Sequence, residues 1–335
     1  VTGAVRMINR IWNTFFFAAI SVLTGVGAAS AQSSSGVGQP YNGQLGLQGA
    51  VTPVMQEITA FHSMVNIIII AIAVFVTVLL LYVIFRFNAK ANPTPSRFSH
   101  NTTIEVVWTV VPILILVVIG VSSFKLLFLQ YEYPKPDLTI KAIANTWYWE
   151  HKYPDHGNFT VSSNMIRDED MLRAKMGDDK FDKKYGDLEG LALLKATFTD
   201  ARPLYAAKGL VRQLSVDNDI AVPVNAVVHV LVGSNDVIHA WTIPSFGSKV
   251  QAVPGRTTAT WFKATKIGVY YGQCSVLCGK DHSAMPITVR VVSQADFDRW
   301  VVAAKAEKWD EARKILLAAT AAAGKKKVAL AGSLN

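Results

Sequence analysis

Cysteine is nearly absent. Cys274 and Cys278 are the only two in 335 residues, so the chain's whole thiol chemistry sits in one turn. No Cys-x-x-Cys-His haem attachment can be written with them, and three residues separate the pair where a thioredoxin-type dithiol has two. A strong charge of either sign is missing too. Lys and Arg number 33 against 24 Asp and Glu, a formal +9, and the cations are scattered without a basic–aromatic motif. That excludes nucleic acid as the expected partner. Charge is absent altogether from the run NIIIIAIAVFVTVLLLYVIF, residues 66–85.

What is there is unevenly distributed. The composition is 51% hydrophobic, but the apolar content concentrates in three N-terminal runs. Residues 1–31 read as a cleaved signal peptide, with a retained membrane anchor as the alternative: Arg6 and Arg10 form a positive start, Ile11 to Val26 an apolar stretch, and Ala29-Ser30-Ala31 a small-residue cleavage site. Its removal leaves 31 cations against 24 acids, a net +7. Residues 32–62, rich in Gly, Ser and Gln at first, read as a flexible N-terminus leading to a membrane. Two spanning helices are predicted, about Val65 to Phe85 and Val106 to Leu129, each long enough for a hydrocarbon core of roughly 30 Å. Pro112 should bend the second, and Lys125 can reach the interface from its far end. Arg86, Lys90 and Arg97 lie between the helices with Glu105 the only acid, which puts that loop in the cytoplasm. The hairpin, residues 63–130, then forces everything after Tyr131 to the outer side.

Residues 131–300 carry short alternating runs separated by Pro, Gly and Asn. Leu138–Ala142, Val211–Val216, Val227–Val232, Thr257–Phe262 and Ile287–Val292 read as strands of an all-β sandwich or barrel. Residues 160–208 are charged and partly helical, with no legible role. After Gln294 an amphipathic helix packs on the domain, and the Ala/Lys-rich tail, 301–335, reads as a frayed helix or disorder.

The chemistry gathers in VYYGQCSVLCGKDHSAMPI, residues 269–287. Two thiols can form a disulfide, run a redox cycle or bind a metal. Zinc prefers more Cys or His and has no use for a thioether, whereas thiolates, imidazole and the thioether of Met285 suit copper. One His₂Cys set with a weak Met describes a single electron-transfer copper, but a second cysteine breaks that count. If both sulfurs bridge two coppers, His282 can serve one, and a second imidazole is needed from elsewhere. His239 in VLVGSNDVIHAWTIPSF is the candidate. Trp147, Tyr148 and Trp149 are adjacent aromatics whose side chains must alternate along a strand, so Trp147 and Trp149 share a face.

Four segments in order, FNAKANPTPSRFSHNTTIEVVWTVVPILILV, TWYWEHKYP, DVIHAWTIPSFGSKVQAVPGR and YYGQCSVLCGKDHSAMPI, closely resemble subunit II of the bacterial aa3-type haem–copper cytochrome c oxidases over about residues 55 to 300. The resemblance implies a two-helix transmembrane hairpin followed by an all-β cupredoxin-like Greek-key domain. It also implies a binuclear copper A centre: Cys274 and Cys278 bridging two copper ions, His239 and His282 each capping one, Met285 and the backbone carbonyl of Val276 as the weaker ligands. The family has a glutamate at position 276 that reaches an interfacial Mg²⁺ or Mn²⁺, and Val276 lacks that carboxylate, so the second metal is not expected to be held in the usual way.

By the same resemblance, Trp147 receives electrons from cytochrome c, and Glu105 collects protons with subunit I. Asp236, Tyr148, Glu150 and Asp155 are docking candidates, although the family's YEY is His151-Lys152-Tyr153 here. The implied partners are oxidase subunit I, subunit III, cytochrome c and the lipid of a bacterial inner membrane, with the copper domain and both mature termini in the periplasm. Electrons would pass one at a time to haem in subunit I, where oxygen is reduced to water with proton pumping. The alternatives are a quinol oxidase subunit II, whose family lacks the copper ligands, and a membrane-anchored periplasmic copper-binding protein.

Overall fold

The computed structural model describes residues 37–94 and 97–332, with side chains to residue 321; the signal segment expected over 1–31 lies outside the described residues. Helix α1 spans Pro53–Arg86 and α2 spans Thr102–Tyr131. Thr52 caps α1 through its hydroxyl, which accepts from the Met55 N–H at 3.0 Å, and Pro53 starts the helix where no N–H is needed. Asn101 caps α2 by accepting from the Ile104 N–H at 3.2 Å. With a rise of about 1.5 Å per residue, α1 reaches about 50 Å, well beyond a hydrocarbon core of about 30 Å. Its surplus begins twelve residues before the expected Val65 and belongs to the β domain: Val54 and Met55 are buried, and Thr52 donates to the Phe246 carbonyl at 2.7 Å. Most of the remaining apolar side chains of both helices are exposed, as lipid contact requires.

Ten strands follow: β1 Leu138–Asn145, β2 Tyr148–Tyr153, β3 Phe159–Ser163, β4 Ile220–Pro223, β5 Val227–Ser234, β6 His239–Ile243, β7 Ser248–Ala252, β8 Thr258–Lys263, β9 Gly268–Gln273 and β10 Pro286–Val292. They form a five-stranded sheet ordered β3-β2-β1-β5-β8, a three-stranded sheet β4-β10-β9 and the pair β6-β7. Two pairings, β1 with β5 and β4 with β10, are parallel. Burial alternates along β1, β2 and β5, which present one face to the core, whereas every residue of β10 is buried. A strand covered on both faces reads as an unbroken apolar run, as Ile287–Val292 nearly does.

Residues 211–216 are not a strand. Ser215 folds back on Val211, its hydroxyl accepting from the Val211 N–H at 2.9 Å, and only Val216 bridges, to Met165. Local side-chain bonding there outweighs the apolar alternation. The turn closes an insertion of three helices, α3 Asp168–Met176, α4 Asp178–Tyr185 and α5 Gly190–Ala207. Met171, Leu172, Phe181, Tyr185, Ala201 and Tyr205 give it a small core of its own. C-terminal to β10, α6 (Gln294–Lys305) packs Phe297 and Trp300 on the sandwich. The tail, expected as a frayed helix or disorder, is helical: α7, Trp309–Gly332, has Ala312 and Leu316 buried in the same core.

Candidate metal centre

The loop 274–285 connects β9 to β10, whose register ends at Gln273 opposite Pro286. Its neck is closed by the Cys274 N–H, which donates to the Met285 carbonyl at 3.4 Å, and the Ser275 N–H reaches the Ala240 carbonyl at 3.4 Å. Gly272 makes that approach possible: a Cβ there would stand 1.9 Å from the Thr242 carbonyl oxygen. Strand β6 therefore lies tightly against the loop, and His239, 35 positions before Cys274, arrives beside it.

The donor atoms converge. Cys274 Sγ and Cys278 Sγ are 3.8 Å apart as free thiols, too far for a disulfide bond. His239 Nδ1 stands 3.9 Å from Cys274 Sγ, and His282 Nδ1 3.5 Å from Cys278 Sγ. Met285 Sδ is 3.5 Å from Cys278 Sγ, and the Val276 carbonyl oxygen 3.2 Å from Cys274 Sγ. Ligand atoms of His239, Cys274 and Cys278 all lie within 4.8 Å of one another, with those three residues buried. All six positions expected to hold metal are thus in one place. The set of thiol, imidazole and thioether donors fits copper. Val276 offers only its carbonyl and supplies no side-chain oxygen to a Mg²⁺.

Electrostatics sharpen the arrangement. Burial alone would push the Cys274 thiol up, but hydrogen bonding to His239 and the backbone at Ala240 and Val276 outweighs it and brings the thiol down to about 6. Burial and the neighbouring Cys274 charge push Cys278 up to about 12. Without metal, one negative charge is therefore held between two sulfurs, and a cation is what would let both become thiolates. Asp236 Oδ1 accepts from His239 Nε2 at 2.8 Å, which frees Nδ1 to face the sulfurs. Burial opposes the Asp236 carboxylate, yet hydrogen bonds from His239, Thr146 and the Val237 N–H hold it well below the usual carboxylate range. Burial likewise would lower His239, and its contacts with Cys274 and Asp236 outweigh that and raise it.

Trp147 lies in the turn before β2 rather than on the strand with Trp149, yet both tryptophans reach the loop. Trp147 Nε1 donates to the Cys278 carbonyl at 3.1 Å, and the fully buried Trp149 donates to the Met285 carbonyl at 3.2 Å. Thr146, just before Trp147, donates its N–H and hydroxyl to Asp236 Oδ2 at 2.6 and 2.8 Å. Tyr148 lies on the other face beside Glu150; burial and that carboxylate raise its phenol. Asp155 is not part of this group. It accepts from the Thr139 N–H at 2.7 Å, at the opposite end of β1 from Asn145 and Trp147. Glu105 stands in the first turn of α2, half-buried, with no ion pair among the described residues.

Sequence reasoning missed His151. It is fully buried, accepts from Trp241 Nε1 at 3.3 Å, and is pulled down to about 3 by burial, so it is neutral. Its place two residues after Trp149 on an inward-facing strand position was the available signal. The orienting bond of Asp236 was equally readable as a carboxylate three residues before a candidate ligand.

The family model for the cytochrome c oxidase subunit II transmembrane domain matches residues 40–126, and that for the periplasmic domain matches 138–187 and 181–292. The chain belongs to the cytochrome c oxidase subunit II family. Among its relatives, the probable cytochrome c oxidase subunit 2 of Rickettsia bellii is 41% identical over 84% of this chain and 91% of that protein. Cytochrome c oxidase subunit 2 of Cereibacter sphaeroides is 40% identical over 83% of this chain and 86% of its own. As a member of this family the chain is part of an oxidoreductase complex of the inner membrane and serves electron transfer. Helices α1 and α2 are its transmembrane hairpin, and the cupredoxin-like β domain is periplasmic. The family's partners are subunit I and cytochrome c.

Proposed function

We propose that the chain holds a binuclear copper A centre, takes electrons one at a time from cytochrome c and delivers them to haem in subunit I. Bound copper would supply one-electron redox chemistry. Cys274 and Cys278 would bridge the pair, His239 and His282 would each cap one ion, and Met285 and the Val276 carbonyl would be the weak ligands. The observation that carries this reading is the convergence of these six donors on one loop neck, with no thiol left over for another task.

The chain's residues then have distinct tasks. Asp236 fixes the His239 ring with Nδ1 toward the sulfurs. The buried Trp149 and Met285 keep water from the inner side, where donor side chains held in a rigid, dry setting would need to move little between redox states. Trp147, hydrogen-bonded to the Cys278 carbonyl, offers a connected route from the surface to the loop that carries the sulfurs. Glu105, at the cytoplasmic end of α2, collects protons with subunit I, and subunit III completes the assembly. No carboxylate from position 276 is assigned to an interfacial Mg²⁺.

A stopped-flow measurement tests the route. Trp147→Leu in the assembled oxidase should slow reduction by cytochrome c at least about tenfold, the loss of a positioned tunnelling contact, while the visible copper absorption stays as in the wild type. An unchanged rate would remove Trp147 from the path. Glu105→Gln should lower steady-state turnover and leave the reduction of copper by cytochrome c as it was.

A further inference from the structure

The link between the hairpin and the β domain is short and laced down. Residues 132–137, Glu132-Tyr133-Pro134-Lys135-Pro136-Asp137, contain two prolines, which fix their own φ and hold the residues before them extended. Pro134 has no N–H, so the Gln130 carbonyl in the last turn of α2 has no helical partner four residues on. Trp261 on β8 supplies one, its Nε1 donating to that carbonyl at 3.3 Å. His229 on β5 donates from Nε2 to the Pro134 carbonyl at 2.7 Å. The Tyr133 hydroxyl donates to the Ala259 carbonyl at 2.8 Å, and its ring stands edge-on to His229 with centroids 5.6 Å apart. Asp137 closes the segment onto β5: its N–H donates to the Val227 carbonyl and its carboxylate accepts from the Val227 N–H, both at 2.8 Å.

These partners are not core residues of the sheet. His229 and Trp261 stand opposite each other across β5 and β8, on the side away from the buried Val228, Val230 and Phe262. An outward tryptophan would ordinarily be wet, yet Trp261 is 8% exposed with the end of α2 against it. Helix α1 is tied separately. Thr265 donates its N–H and hydroxyl to the Val51 carbonyl at 2.8 and 2.9 Å, and Gly247, with φ of 69°, admits the helix so closely that a Cβ would stand 2.7 Å from Ile58 and 3.2 Å from the Met55 Cα. Two ties on two helices resist pivoting about either one. The metal loop lies at the other end of β5, where the Ser234 hydroxyl donates to the Asp236 carboxylate that orients His239. Five residues of strand from His229 to Ser234 span about 17 Å, so a tilt of about 5° at the ties would carry the far end about 1.5 Å.

We propose that Trp261 and His229 are positioning residues for the onward electron: by holding the carbonyls at the end of α2 against the outer side of β5 and β8, they fix the tilt of the β domain on the hairpin and so the approach of the metal loop to subunit I. The inference rests on the reading that the metal site passes its electron to haem in subunit I. In that step the site is oxidised by one electron and the haem Fe³⁺ becomes Fe²⁺, with no bond made or broken. The hairpin is held in the membrane and the loop is carried by the β domain, so their relative tilt sets the gap the electron crosses. A displacement of about 1 Å in a preset geometry can cost up to about a hundredfold in rate. Neither side chain donates to a residue of the metal loop, so the copper site itself and its reduction by cytochrome c do not depend on them.

Flash reduction of the assembled oxidase by a photoexcited ruthenium complex tests this, against wild type, Trp261→Phe, His229→Leu, His229→Gln and the double variant Trp261→Phe/His229→Leu. The double variant should slow transfer from the metal site to haem about tenfold or more, and Trp261→Phe and His229→Leu about threefold each. His229→Gln, whose amide still donates, should stay within about twofold of wild type. Copper absorption and reduction by cytochrome c should match wild type throughout. If the double variant fails to assemble, Trp261→Phe, which keeps an aromatic ring, decides alone. A second readout needs no copper: in the full-length chain in lipid nanodiscs, amide hydrogen exchange at Val227 and Asp137 should rise about fivefold or more in His229→Leu, not in His229→Gln, with 274–285 unchanged. Transfer within about twofold of wild type in Trp261→Phe and His229→Leu, a His229→Gln as slow as His229→Leu, or unchanged exchange at Val227 overturns the proposal. If wild type itself passes no electron from the metal site to haem, the redox reading falls and the role of the ties with it; normal wild-type transfer with unslowed variants removes only the ties.

Discussion

The loop 274–285 and the helical insertion 168–207 are neighbours held together by different physics. In the loop two thiols, two imidazoles and a thioether converge, with Gly272 letting β6 approach and Gly279 lying against the Trp147 indole. The insertion instead has a modest apolar core and a rim of exposed ion pairs, such as Arg173 with Asp178 and Asp182. Its neck is sealed by Arg212 gripping Asp168 through Nε and Nη2 at 2.7 to 2.9 Å. Residues flanking the two regions join them: Arg167 pairs with Asp281 of the loop, Gln273 Nε2 donates to the Gln213 carbonyl at 3.2 Å, and Thr288 donates to the Leu214 carbonyl at 3.0 Å. Chemistry is concentrated in the loop; the insertion contributes packing and a few braces.

That contrast can be broken by mutation, and the largest effect belongs to the loop. Cys274→Ser or Cys278→Ser should abolish paired copper binding, leaving at most one copper per chain by metal analysis. Asp236→Ala should weaken copper retention by about 10- to 100-fold against a chelator, since it removes the acceptor that orients His239. Phe181→Ala should cost about 3 kcal/mol within the insertion and speed local amide hydrogen exchange there while copper content stays at the wild-type value. Arg212→Ala should act in the same region at about 2 kcal/mol, by stranding the largely buried Asp168. Arg167→Gln, which removes a mostly exposed brace, should change stability by less than about 1 kcal/mol. If Phe181→Ala or Arg167→Gln empties the copper site, the division of labour between the two regions is wrong.

Much of this was legible from residues alone, for unequal reasons. The hairpin shows in the sequence because the lipid demands unbroken apolar runs, and the loop because Cys274, Cys278, His282 and Met285 lie within twelve positions. Strands β1, β5, β8 and β10 follow from alternation or continuous apolarity. The turn at 211–216 was misread because a short apolar alternation does not reveal that Ser215 will cap it. The inner end of α1 was hidden because Val54 and Met55 pack against a segment nearly two hundred residues away, beside Phe246. The inward position of His151 was readable from the strand alternation, but its partner Trp241 lies on another strand, and only the fold brings them together. Asp236 and Asp155 show the limit of resemblance, which names a position but not its hydrogen bonds.

The central claim is that two coppers share the thiolates of Cys274 and Cys278. Electron paramagnetic resonance of the purified, oxidised, copper-loaded protein tests it most directly. The account predicts one unpaired electron spread over two equivalent copper nuclei, with two coppers bound per chain. A four-line spectrum from a single copper, or a silent site filled by zinc, would contradict it.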